Sequence, residues 1–163
     1  MSPILNSIAA TLLTTGSVSA GEFDSHIPMR ETGVATYYVN GEIQGAGPAD
    51  FMVDTGAGYT TINETTLERL QYTGGATYLR DISGMLANGS MITVPVYRIN
   101  QMSIGASCTL RDVEAAVFPG NTRQILGLSA LRHAAPFIFS VDPPQLILSN
   151  CTAQVAQRAD EVM

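Results

Sequence analysis

From Val34 onward the chain is a succession of short apolar runs broken by turn residues. Residues 34–39 form one run, Asn40-Gly41 follows, and a second run ends at Asp54. Asn-Gly between two apolar segments is a strong hairpin signal, because both residues tolerate the positive φ of a tight turn. Residues 63–70 (Asn-Glu-Thr-Thr-Leu-Glu-Arg-Leu) read instead as a short helix, with Asn63 as N-cap, acidic residues in its first turns and Gly74-Gly75 ending it. Two strand-like arms, 77–82 and 91–99, flank Leu86-Ala87-Asn88-Gly89-Ser90, a turn sequence between strands. A turn is expected at 102–105, a strand at 108–118 closed by Pro119-Gly120, a second helix at 126–133, and a strand pair 137–141 and 145–148 across Asp142-Pro143-Pro144. The pattern predicts a mainly β domain with one or two short helices.

At 163 residues, 45% of them hydrophobic, the chain fits one domain with a substantial core. Its organisation divides into an apolar N-terminal segment or arm at 1–30, the domain proper at 31–150 and a polar, acidic tail at 151–163. Residues 1–20 carry Ile4, Leu5, Ile8, Leu12 and Leu13 and then Val18-Ser19-Ala20, a small-residue cleavage pattern. No Lys or Arg precedes that stretch, and Thr and Ser interrupt it. Two readings stand: an export signal or anchor, placing the protein in the periplasm or at a membrane, or an arm on a cytoplasmic protein.

A formal charge of −6, with Arg80, Arg98, Arg111, Arg123 and Arg132 scattered, argues against a nucleic-acid partner. His26 and His133 are far apart, and Cys108 and Cys151 lack ligand spacing, so neither a metal nor another cofactor is expected. The two cysteines are open to being buried free thiols or a disulfide, the latter requiring an oxidising compartment.

The candidate chemistry lies at Asp54-Thr55-Gly56, reached through the apolar Phe51-Met52-Val53 and followed by Ala57-Gly58-Tyr59-Thr60-Thr61-Ile62. A buried strand ending in a carboxylate, a hydroxyl and two small residues presents an acid at a tight turn. Gly56 and Ala57 leave room for another backbone alongside, and the Thr55 hydroxyl can bond to a facing, identical turn. This segment resembles the active-site strand and turn of the retroviral-type (retropepsin-like) aspartic peptidases. Downstream, Ile125-Leu126-Gly127 within 124–131 resembles the family's two-apolar-then-glycine motif, and residues 86–89 fall where the family carries its flap hairpin. Ala87-Asn88-Gly89 and the Asp-Val-Glu-Ala-Ala-Val strand at 112–117 are most similar to the single-domain bacterial members. The resemblance covers about residues 34–149, and the flap tip departs from it in lacking the glycine-rich sequence of the viral enzymes.

The resemblance implies a retropepsin-like closed β-barrel or sandwich and an aspartic endopeptidase acting on an extended protein or peptide segment. Asp54 would be catalytic, with Thr55, Gly56 and Ala57 supporting its turn. Leu86, Ala87, Asn88 and Gly89 would form the flap over the substrate, and Ile125, Leu126 and Gly127 would pack behind the site. No other Asp in the chain has this context, so the second carboxylate must come from a second copy, which makes the partner a homodimer mate. Plainer readings exist for each: Asp54 as a turn cap, 87–89 as a surface turn, His133 as a helix C-terminal cap, and Arg80 and Asp81 in surface ion pairs. The alternative for the whole is a non-catalytic peptide-binding or dimerisation module that keeps the fold.

Overall fold

A computed structural model of the protein describes residues 23–85 and 89–151. The readings of residues 1–20, of the tail beyond Cys151, and of Leu86, Ala87 and Asn88 fall outside these described residues. In chain order the strands are β1 (Ser25–Pro28), β2 (Arg30–Thr32), β3 (Thr36–Ile43), β4 (Gly47–Val53) and β5 (Thr60–Asn63). Helix α1 (Glu64–Thr73) follows, then β6 (Ala76–Met85), β7 (Met91–Ile104), β8 (Cys108–Phe118) and β9 (Gln124–Leu126). The short helix α2 (Leu128–Leu131) and a 3₁₀ turn (Arg132–Ala134) lead into β10 (Phe137–Val141) and β11 (Pro144–Leu148).

The larger sheet runs β2-β3-β4-β9-β5-β8-β7-β6, and a further pairing of β3 with β7 closes β3 through β7 into a barrel. A smaller antiparallel sheet, β1-β11-β10, lies beside it. This is the mainly β, closed retropepsin-like architecture expected from the resemblance. Phe51, Ile43, Met102, Ile104, Leu110, Leu126 and Leu131 are fully buried within the barrel. Along β8 the positions buried in the main core are Cys108 and Leu110, then Val113, Ala115 and Val117, while Ala116 is buried on the other face with Val94 and Val96. The alternation inverts beside Asp112, whose φ is 55°.

Helix α1 forms where its end signals place it. Asn63 accepts the Thr66 N–H at 2.9 Å, and Gly74, at φ 70°, terminates the helix. Leu70, fully buried, anchors it to the core.

Asn40-Gly41 is not a turn. Both residues lie inside β3, where Gly41 pairs with Ala49 on one side and Ile104 on the other. A Cβ on Gly41 would stand 2.3 Å from the Ser103 carbonyl oxygen, so glycine is needed for close strand approach rather than for chain reversal. The reversal comes three residues later, with Ala46 donating to the Ile43 carbonyl at 2.9 Å. For a similar reason no turn occurs at 102–105 before Ile104. Met102 and Ile104 are held in β7 by partners on β3 and β8, and both are buried.

Cys108 and Cys151 form a disulfide with a Cα–Cα distance of 4.5 Å, settling the two open readings. It staples the start of β8 to the segment after β11, and closing a 43-residue separation contributes about 4 kcal/mol on the chain-entropy model. Ile27 and Met29, from the N-terminal segment, are also buried, with β1 paired along β11.

Candidate active site

Asp54 stands at the end of β4, one residue past its parallel pairing with β9. Strand β9 lies between β4 and β5 in the sheet, so the chain must pass around its end to reach β5. That crossing is the Asp54-Thr55-Gly56 turn. The Asp54 N–H donates to the Leu126 carbonyl at 3.1 Å, continuing the ladder, and the Ala57 N–H donates to the Asp54 carbonyl at 3.2 Å. The Gly56 N–H donates to Asp54 Oδ1 at 2.9 Å, fixing the carboxylate over the turn. A methyl on Gly56 would approach that oxygen to 3.2 Å. Asp54 is half-buried, Thr55 is exposed, and Thr55 has no hydrogen-bond partner among the described residues.

The turn is clamped from behind by the segment that starts α2. The Leu128 N–H donates to the Ala57 carbonyl at 2.8 Å and the Ser129 N–H to the Gly58 carbonyl at 3.0 Å. These amides belong to the first helical turn and would otherwise lack partners. Gly127 is where the two segments come closest, since a Cβ there would lie 2.2 Å from the Tyr59 carbonyl oxygen and 2.9 Å from that of Ala57. Ile125 and Leu126 are strand β9 rather than the start of a helix, because the β4 ladder captures them before the helix can begin.

Two contributors escaped the sequence reading. Ser129 Oγ accepts the Thr60 N–H at 2.7 Å and donates to the Glu114 carbonyl at 2.6 Å, joining the turn to β8. Thr60, itself buried, accepts the Gly127 N–H through Oγ1 at 3.3 Å. The available signal was a lone hydroxyl between Leu128 and Ala130 in an otherwise apolar block.

A cleft of about 530 Å³ opens at the carboxylate. Ala57 and Tyr59 of the turn, Ile82 and Ile92 of the β6–β7 hairpin, and Phe118 of β8 line it. The hairpin arms pair from Ala76↔Ile99 out to Met85↔Met91. Beyond them Gly89 is exposed with φ 84°, while Leu86, Ala87 and Asn88 are the residues outside the described part. At the hairpin's base, Arg80 binds both carboxylate oxygens of Glu114 and donates to the Tyr59 hydroxyl at 2.9 Å. Hydrogen bonding to Arg80 holds the Glu114 carboxyl below its ordinary range, and bonding to Glu114 and then to Tyr59 raises Arg80. Arg80 is thus in an ion pair, though one that also holds Tyr59, which follows the Asp54 turn. His133 lies in the 3₁₀ turn, and its side chain makes no hydrogen bond among the described residues. No cluster of His, Cys, Asp and Glu among the described residues could hold a metal, and no helix among them is long and apolar enough to cross a membrane.

The crystal structure of a retropepsin-like aspartic protease from Rickettsia conorii is similar to this chain, with a TM-score of 0.53. The match is 22% identical and covers 76% of this chain and 89% of that one. At that identity the likeness shows the fold. No curated protein sequence matches the chain. The family model described as gag-polyprotein putative aspartyl protease matches residues 39–133, which run from β3 through the Asp54 turn and the hairpin to the 3₁₀ turn behind the site. With more than half of the chain covered, and with the fold agreeing, the protein belongs to this family of retropepsin-like aspartic proteases.

Proposed function

We propose that the protein is an aspartic endopeptidase that works as a homodimer, with one Asp54 from each chain. The observation that carries the reading is the placement of Asp54. It ends a buried strand at the mouth of a largely apolar cleft, in a turn braced from behind by four backbone and side-chain hydrogen bonds and open in front at Thr55 and Gly56. The chain contains a single Asp-Thr-Gly, so a pair of such carboxylates requires a second copy. Thr55, exposed and without a partner among the described residues, would bond across the twofold axis to the facing turn.

Two carboxylates at such close range do not both ionise, as aspartic proteases in general exemplify. One shared proton leaves an ionised member to take a proton from a water held between them. The protonated member donates to the substrate carbonyl oxygen as the water adds to the carbonyl carbon. Collapse of the resulting diol breaks the C–N bond, the amine leaving with a proton from the pair, so no covalent enzyme intermediate forms. The substrate would lie extended in the cleft, with Gly56 leaving space for it beside Asp54 and the β6–β7 hairpin covering it and excluding water. Residues 86–89 would be the covering tip. The Cys108–Cys151 bridge is a feature of oxidising compartments and favours action outside a reducing cytosol.

The test is cleavage of denatured casein across about pH 3 to 7 by wild type and Asp54→Asn at matched concentration. Wild type is expected to cleave with a bell-shaped pH profile. The variant should lose on the order of 10³-fold or more in rate while its melting temperature stays close to wild type. A variant that cleaves as fast as wild type rejects the reading. A folded, dimeric wild type that binds peptides but never cleaves them supports a non-catalytic peptide-binding module instead.

A further inference from the structure

A second cavity of about 440 Å³ adjoins the cleft at Asp54. It is lined by Met52, Thr61, Phe118, Thr122, Arg123 and Ile125, and Thr61, Phe118 and Ile125 belong to both spaces. The two therefore form neighbouring compartments along one surface. Their chemistry differs. The cleft beside Asp54 is walled by Tyr59, Ile82, Val94 and Phe118, with no basic side chain. The second cavity holds an arginine and two threonine hydroxyls, with no carboxylate in its lining.

Arg123 is exposed, and its one side-chain hydrogen bond among the described residues runs from Nη1 to the Met52 sulfur at 3.7 Å, a weak acceptor. Among the described residues the ion pairs are Arg30–Asp50 and Arg80–Glu114, so Arg123 is in neither. The carboxylate that reaches the neighbouring loop, Glu64, accepts the Gly120 N–H at 2.7 Å. A guanidinium is a planar fork of five donors suited to bidentate binding of a carboxylate. Here that fork is left with a thioether, at the mouth of a space large enough for a side chain, in a chain of net charge −6.

We propose that Arg123 is a specificity-determining residue that binds an acidic side chain, Glu or Asp, of the peptide substrate in this second cavity, while a neighbouring substrate position places an apolar side chain in the cleft beside Asp54. This rests on the peptidase reading given above. Along an extended peptide successive side chains point to opposite faces, and those two apart return to the same face about 7 Å on. One segment can therefore fill both compartments. The inferred substrate is an extended segment with an acidic residue close to the scissile bond, rather than an apolar stretch alone.

The test uses a peptide set in which Glu, Gln or Lys is walked through each position around a cleaved bond. The reaction is read as kcat/KM at about pH 6, where a free Glu side chain is ionised. Wild type is expected to favour Glu over Gln by about fivefold to tenfold at one position, the size suited to a partly exposed charge pair. Arg123→Leu should bring that ratio close to one, and Arg123→Glu should turn the preference towards Lys at the same position. The proposal is overturned if wild type shows equal rates for Glu and Gln at every position. It is equally overturned if Arg123→Leu lowers both rates together and leaves their ratio intact, the signature of an arginine that serves folding or the dimer contact. The same peptides binding to the Asp54→Asn protein, followed by fluorescence anisotropy, give the ratio without catalysis. Equal affinities for Glu and Gln there overturn the specificity, while a wild type that binds with preference and cleaves nothing overturns the peptidase reading and leaves the acid-binding pocket standing.

Discussion

The Asp54 turn and the outer end of the β6–β7 hairpin face each other across one cleft, and they are built in opposite ways. The turn is irregular backbone, yet Ala57, Gly58 and Thr60 each have a partner on the α2 segment, and Gly127 leaves no space between the two. The hairpin is regular β-structure, yet no residue of β6 is buried, and Met85 and Met91, paired across its end, are 73% and 64% exposed. Burial and regularity of the backbone therefore part company in this molecule, the irregular turn being the more tightly packed of the two. In the proposed dimer a carboxylate meeting its mate would need the first kind of support, and a hairpin proposed to cover substrate would need the second.

The brace behind the turn is most vulnerable at Gly127. Gly127→Ala puts a methyl group into the Tyr59 carbonyl, and a displaced turn should cost about 3 kcal/mol of stability or more, seen as a lower urea midpoint. Cleavage should fall further than the loss of folded protein accounts for, because Asp54 moves with the turn. Next in size is Ser129→Ala, which strands the buried Thr60 N–H and the Glu114 carbonyl. A loss of about 2 kcal/mol is expected by the same titration. An unchanged midpoint would mean that water or another group replaces the hydroxyl, and that the brace is weaker than its geometry. The smallest stability effect belongs to the hairpin: Met85→Ser with Met91→Ser should shift stability by no more than about 0.5 kcal/mol. Its consequence should appear in KM for casein, so equal KM for the double variant and wild type would deny the hairpin a part in holding substrate.

Much of this was legible along the chain because local rules and tertiary demands coincide. Strand β8 and the β10–β11 pair occupy nearly the residues that their apolar runs mark, and α1 begins at Asn63 and ends at Gly74 because caps act within a few residues. Where they conflict, tertiary pairing wins. Asn40-Gly41 has a strong turn preference but sits flat in β3 between two neighbouring strands, and Ile125-Leu126 joins β4 before any helix starts. Thr60 and Ser129 were passed over because a buried hydroxyl's worth depends on the donors and acceptors that folding brings to it.

By itself, then, the order of residues determined the alternation that makes a β domain, the ends of α1, and an acid at the close of a buried strand followed by small residues. Each of these depends on neighbours in sequence, through side-chain direction, φ preference and capping. Only the tertiary structure decided that β9 would separate β4 from β5 and force the turn between them. The same is true of the Cys108–Cys151 bridge across 43 positions, and of Arg123, which has no carboxylate partner among the described residues. Those outcomes depend on contacts between segments far apart in the chain, which come into existence only when the barrel closes.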